Sequence, residues 1–304
     1  MRLSRTLALG ASMLVLLSAC STGGGSKPTL KIGSVGFDEA RVMAEIYAQV
    51  LEANGYTVDR AGIGLGARDV LLPALESGQI DLQPEYIGSG LAQGYGGASS
   101  NEPDTNRTEL QKVLDGKGGG ITVLDYTPAQ DTNALVVRQE TADEFDLATW
   151  GDLAAVQGDI KWALATDCPV NPVCGAALKD SYGIDIETID VTLLDACTTP
   201  MADALKNKTV DVAELCSTDP LIITEGWVRL EDDKGTQPAD NIAPLVRNDF
   251  LAKTDKAAFS KILDDVSAKI DTATLGQLYY DVAVDKKDIK DVAAEWLKAN
   301  GFVK

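Results

Sequence analysis

The chain has 304 residues, 45% of them hydrophobic, with 46 acidic against 27 basic side chains and a formal net charge of −19. That balance excludes a nucleic-acid partner, because phosphate binding needs clustered lysine and arginine. Histidine is absent, which removes Ser-His-Asp and Cys-His nucleophile systems and the usual zinc and copper ligands, and argues against an enzyme.

The chain opens on MRLSRTLALGASMLVLLSAC, with Arg2 and Arg5 ahead of an uncharged, mostly apolar stretch over 7–17 and small residues just before Cys20. The apolar run is too short to span a bilayer comfortably and reads as an export signal. An ordinary signal peptide with an incidental cysteine is one reading. The other is that Leu17-Ser18-Ala19-Cys20 looks like a lipobox, in which Cys20 is acylated and becomes the first mature residue. Residues 21–28, rich in Ser and Gly, suit a flexible tether. No later apolar run is long enough for a second span. About 285 residues then remain, enough for one large domain or two lobes.

Alternating polar and apolar residues predict a strand over 29–35. Asp38 then serves as a helix N-cap, and a helix over 41–53 follows with the apolar stripe Val42, Met43, Ile46, Val50 and Leu51, closed by Asn54-Gly55. A strand over 56–61, a turn at 64–66, a helix over 67–76 and a short strand over 80–82 complete a parallel α/β unit, whose ligands bind at strand carboxyl ends. The Gly/Ser/Asn stretch over 94–101 reads as a surface loop. Further strands are predicted over 134–137, 160–165, 209–213 and 243–246, with helices opening at 149 and over 201–206. A helical tail follows over 256–270, 273–283 and 287–299. Two α/β lobes joined by two crossing strands explain this order.

Besides Cys20 the cysteines are Cys168, Cys174, Cys197 and Cys216. In an oxidising compartment an even count predicts disulfides, with three connectivities available. Cys168 and Cys174 bracket the turn PVNPV, which lets them meet and leaves Cys197 to pair with Cys216; the other reading leaves Cys216 free. A tetrathiolate metal site is the alternative, but the paired CxxC knuckles are missing, so no metal and no cofactor are expected.

Several segments carry a resemblance: KIGSVGFDEARVMAEIYAQVLEANGY, ALESGQIDLQPEYIGSG, TPAQDTNALVVRQE, STDPLI, LEDDKGTQP with APLVR, and AVDKKDIKDVAAEWLKANGF. In this order, spread over the mature chain, they are similar to the substrate-binding lipoproteins of osmoprotectant ABC transporters, which bind glycine betaine, carnitine and choline. The resemblance implies the two-lobed type II periplasmic-binding-protein fold, with lobe one from 29–133 and 245–304 and lobe two from 134–244. It implies a monomer held at the extracytoplasmic face of a bacterial membrane by the Cys20 lipid. Such a protein hands a small solute to an ABC permease driven by a cytoplasmic ATPase and performs no chemistry on it.

A quaternary ammonium has no N–H to donate, so its recognition relies on aromatic faces, at about 0.5–2 kcal/mol per ring. A zwitterion also wants a donor for its carboxylate. By the resemblance, Tyr86 stands at a cage-aromatic position, with Phe37 a second candidate, and Ser89 stands where a threonine hydroxyl belongs. Asn133, Ala202 and Cys216 stand where aromatics belong, and Val35 and Ala40 replace a frequent Lys and Gln. The cage is thus reduced and lacks its basic group. On the resemblance a quaternary ammonium such as glycine betaine or choline stays the leading cargo. The departures predict that glycine betaine is not bound tightly and leave as the alternative a more polar ligand met by Asn133, Thr218, Asp219 and the Asp38/Glu39 pair. Each has a plainer reading: Tyr86 and Phe37 as packing residues, Asp38 and Asp219 as helix caps. Two other classes stay open: an enzyme using Asp38 or Asp219, and a lipoprotein sensor or scaffold without transport.

Overall fold

The computed structural model describes residues 27–118, 120–195 and 198–304; the signal with Cys20, most of the tether, and Cys197 lie outside the described residues. Strand β1 (Thr29–Val35) runs parallel to both β2 (Thr57–Gly66) and β3 (Leu82–Tyr86). Beyond them β10 (Ile242–Arg247) pairs antiparallel with β3 and with β4 (Ile121–Val123), giving the order β2-β1-β3-β10-β4. The second sheet repeats this plan. Here β6 (Trp162–Ala165) is parallel to β7 (Val191–Leu194) and β8 (Val212–Cys216), and β5 (Asn133–Val137) lies antiparallel between β8 and β9 (Val228–Arg229), in the order β7-β6-β8-β5-β9. Each sheet is mixed, the antiparallel strand being the one the chain uses when it crosses between lobes.

Helix α1 (Asp38–Ala53) forms where the 3.6-residue stripe says it should. Val42, Met43, Ile46, Val50 and Leu51 are all buried, and Gly55, in the left-handed region at φ 83°, ends it. Its start differs from expectation. Asp38 is not the cap: the chain is already helical there, extended Phe37 occupies the cap position, and the Asp38 carboxylate accepts from Arg41 at 2.9 Å. The predicted turn at 64–66 is strand, because glycines let β1 and β2 approach closely. Gly33 faces Gly62, and a Cβ at Gly62 would lie 2.8 Å from the Ile32 carbonyl oxygen. The third strand begins at Leu82, two residues later than its hydrophobic pattern implied, since the Asp81 side chain takes the Lys31 N–H instead. The helix Pro103–Gly116 has no counterpart in the sequence reading; it buries only Asn106, Leu110 and Leu114 and is otherwise polar.

The first lobe has one large core around α1, which packs against the C-terminal helix Ile289–Ala299 and the preceding helix Thr272–Ala283. The second has a core on each face of its sheet, one around Trp162 and Trp150, the other around Met201 and Leu205. Among the described residues no helix is long and apolar enough to cross a membrane.

Candidate functional site

The carboxyl ends of the parallel strands in both sheets open onto one cleft of about 1090 Å³. This is the position α/β sheets reserve for ligands. β1 and α1 deliver Phe37 and Glu39, and β3 delivers Tyr86. β8 ends at Cys216, followed by Thr218 and Asp219. Two crossover segments run side by side between the lobes, joined by the antiparallel bridge Gln130–Asn241 and by the Asp131 N–H donating to the Asp240 carbonyl at 3.2 Å. They set the carboxyls of Asp131 and Asp240 into the cleft.

Of the residues singled out from sequence, Phe37, Tyr86, Ser89, Asn133, Thr218 and Asp219 all line the cleft, whereas Asp38 does not. Phe37 is 46% exposed and tilts on Tyr86, their ring centroids 5.7 Å apart. Tyr86 is buried, and its hydroxyl donates to Glu39 Oε1 at 2.5 Å. Ser89 gives both its backbone N–H and its hydroxyl to Asp240. That pair of hydrogen bonds needs Gly88, where a Cβ would lie 2.6 Å from the Ala239 carbonyl oxygen, so the EYIGSG stretch is shaped to meet the second crossover. Thr218 donates to Asp131 Oδ1 at 3.0 Å. Asp219 both lines the cleft and caps the helix Pro220–Thr224 through the Leu221 N–H, and burial raises its carboxyl pKa.

Charge distinguishes this cleft more than aromaticity does. Glu39 is 1% exposed; its pKa rises to about 7, mainly through burial, against the lowering effect of the Thr218 and Tyr86 hydroxyls. Burial likewise lifts Asp240 to about 6, and Asp131 rises well above its ordinary value through desolvation and then repulsion from Glu39. Tyr279, from the helix Thr272–Ala283, adds a third aromatic, its hydroxyl pushed up to about 12 by burial and then by surrounding carboxylates. The sole cation among the described lining residues is Arg68, which donates Nε and Nη2 to Glu85 Oε1 and Nη1 to Gln93. Asp131, Asp240, Arg68 and Tyr279 were not picked out by sequence reasoning. The only available signal was the position of Asp131 two residues ahead of a strand in TPAQDTNALVV.

The opposite wall includes Val170 to Val173, inside the loop closed by the disulfide Cys168–Cys174. Buried Glu214 packs 3.4 Å from Cys174 Sγ and accepts the Ala165 N–H. Cys216 is itself disulfide-bonded; Cys197, its expected partner, lies outside the described residues.

Residues 28–299 match the family described as the substrate binding domain of the ABC-type glycine betaine transport system. The glycine betaine-binding protein YehZ of Escherichia coli K12 is 30% identical over 307 residues, covering 98% of this chain and 99% of the relative. The carnitine transport binding protein OpuCC of Listeria monocytogenes is 26% identical, covering 95% of this chain and 93% of its own length. In fold, a crystal structure of a glycine betaine/carnitine/choline ABC transporter superposes on 90% of this chain and 99% of its own, with a TM-score of 0.79 at 23% identity. These neighbours are type II periplasmic binding proteins, and this chain has that fold.

Proposed function

We infer that this chain, which belongs to the substrate-binding domains of ABC-type glycine betaine transport systems, captures a small solute with a positively charged nitrogen between its two lobes and delivers it to an ABC permease. The family consists of solute-binding proteins rather than enzymes, so the carboxylates of the cleft act on charge and hydrogen bonding, not on covalent bonds. The observation that carries the reading is the lining itself: the aromatic rings of Phe37, Tyr86 and Tyr279 beside the carboxyls of Glu39, Asp131, Asp167, Asp219 and Asp240, contributed from both lobes and the crossovers between them. Aromatic faces and carboxylates both attract a cation and both repel an anion. Because both lobes contribute, a solute that touches both stabilises the closed arrangement by its greater affinity for it.

In this reading the Cys20 lipid holds a monomer at the outer face of a bacterial membrane, and the 21–28 tether lets the lobes reach the permease. The bounds expected from the resemblance, 133/134 and 244/245, shift slightly with the strands: β5 starts the second lobe at Asn133 and β10 returns the chain to the first at Ile242, so lobe one takes 29–132 and 242–304 and lobe two 133–241. The cysteine at the end of β8 completes a second bridge with Cys197. YehZ and OpuCC are named for glycine betaine and carnitine, both of which present a quaternary nitrogen. The cleft here keeps the attraction for a cationic nitrogen without a full set of rings.

Thermal unfolding of the full chain in non-ionic detergent, with betaines, choline, amines, amino acids, organic anions and sugars, tests this. A cationic-nitrogen solute at a hundred times its dissociation constant stabilises by about 2.7 kcal/mol, a shift of a few degrees. Tyr86→Ala is expected to abolish the shift, and Cys20→Ala to move the protein from the membrane to the soluble fraction. Stabilisation by sugars or anions alone removes the reading.

A further inference from the structure

Three carboxyl side chains meet at the floor of the cleft, and one of them has an oxygen with nothing to bind. Glu39 Oε1 accepts from Tyr86, but Glu39 Oε2 is buried and has no hydrogen-bond partner among the described residues. The neighbouring Thr218 hydroxyl, whose proximity lowers the Glu39 pKa, has a single proton and here directs it to Asp131. A buried carboxyl oxygen without a hydrogen-bond partner normally has an explanation in the ligand or in bound water.

The surroundings define what could satisfy it. Tyr86 at the end of β3, Thr218 after β8, Tyr279 from the helix Thr272–Ala283 and Asp131 and Asp240 from the crossovers all face Glu39 or its neighbours. Asp219 and Asp38 add negative charge from further out. Helix α2 (Arg68–Ser77) brings Arg68 toward Asp240, but its guanidinium is paired with buried Glu85. No lysine lines the cleft among the described residues. The site therefore offers acceptors and negative charge, and little to hold a carboxylate.

We propose that the cargo's charged nitrogen carries at least one N–H, as in a protonated amine, amidine or guanidinium, and that Glu39, backed by Asp131 and Asp240, is its counter-charge and hydrogen-bond acceptor. This rests on the solute-capture reading and narrows the head group. A quaternary nitrogen leaves Glu39 Oε2 unpaired and needs rings on several sides. Here Tyr86 is turned by its hydroxyl bond to Glu39, which leaves one edge of the nitrogen's surroundings polar. When the N–H donates to Glu39 Oε2, the proton that the buried carboxyl retained leaves for solvent, so charge balances within the cleft. Binding thus tightens as pH rises through the region in which Glu39 ionises, up to the pKa of the amine itself.

The test is isothermal titration calorimetry of the full chain in non-ionic detergent. N,N-dimethylethanolamine, putrescine, agmatine and arginine are compared with choline, carnitine and glycine betaine, in buffers of different ionisation enthalpy. The tightest ligand is expected to be an N–H cation, to bind at least tenfold more weakly at pH 5.5 than at pH 8, and to release a proton near pH 6.5. Glu39→Gln is expected to weaken it at least tenfold and to cancel the proton release, with near-ultraviolet circular dichroism confirming the fold. Tighter binding of choline or glycine betaine, or an affinity that Glu39→Gln leaves within twofold, overturns the proposal while solute capture stands. Silence across both groups of compounds removes the capture reading and this narrowing with it.

Discussion

Raising the pH from 5 to 8 is expected to lower the unfolding temperature of the empty protein, and Glu39→Gln to remove much of that slope. The folded-state pKa of Glu39, about 7, and that of Asp240, about 6, both lie above the ordinary carboxyl values, because burial disfavours their charged forms. A carboxyl with a raised folded pKa holds its proton more tightly in the native state than in the unfolded chain. Its contribution is complete below the ordinary value and is lost as pH climbs through the folded pKa. For Glu39 the difference corresponds to about 3 kcal/mol between pH 4.5 and 7. Asp152, lowered by the Ala148 and Thr149 N–H groups in the preceding turn, and Asp271, lowered by the Thr274 N–H at a helix start, act in the opposite sense and matter only as pH falls through the acid range. Differential scanning calorimetry at pH 5, 6.5 and 8 reads the result. The amide introduced by Glu39→Gln keeps an acceptor for Tyr86 and carries no charge, so the variant should melt several degrees higher at pH 8 and close to the parent at pH 5. Parallel, flat profiles for both proteins would contradict the placement of Glu39.

Arg68→Met is expected to cost about 3–5 kcal/mol, the range for stranding one member of a buried ion pair. Glu85 is 2% exposed and its Oε1 takes two guanidinium N–H groups, at 3.1 and 2.9 Å. The Tyr86 N–H and the Gln83 side chain also donate to this carboxylate. Gly90 makes room for it, since a Cβ there would lie 2.8 Å from Glu85 Cγ. Removing Arg68 leaves the negative charge buried and also withdraws the one cation that lowers the Asp240 pKa. Arg68→Met/Glu85→Gln is expected to recover most of the loss. Urea unfolding of the parent, both single variants and the double variant gives the coupling directly, and a single-variant cost below about 1 kcal/mol would show that the pair is not energetically buried.

The elements that the sequence revealed are those whose own periodicity buries them. β1 alternates and α1 carries a full apolar stripe, and each was legible nearly to its ends. The helix Pro103–Gly116 was not, because it buries two leucines and an asparagine and presents polar residues elsewhere. β2 was cut short because glycines signal turns more often than strands; here Gly62 serves close strand approach. At the site, Tyr86, Ser89 and Thr218 stood in recognisable motifs. Asp131 and Asp240 did not stand out, since acids in polar connecting segments look like surface. Only the pairing of two crossovers, far apart in sequence, desolvates them. Of the Asp38/Glu39 pair that the sequence offered together, only Glu39 lines the cleft. At a helix start, one residue decides whether a side chain faces Arg41 outside or Tyr86 inside.

The strand order of the first sheet carries a consequence for how the chain acquires its shape. β10 sits between β3 and β4, yet it is contributed by residues 242–247, after the whole of the second sheet has been made. Until those residues arrive, β3 and β4 each present an unpaired edge. α1 also lacks the helices Thr272–Ala283 and Ile289–Ala299 that cover it. The second sheet, by contrast, is assembled from one uninterrupted stretch over 133–229. A chain emerging in order therefore completes its second lobe first, and the lobe begun by residue 29 stays open to mispairing until nearly the last turn of helix is present.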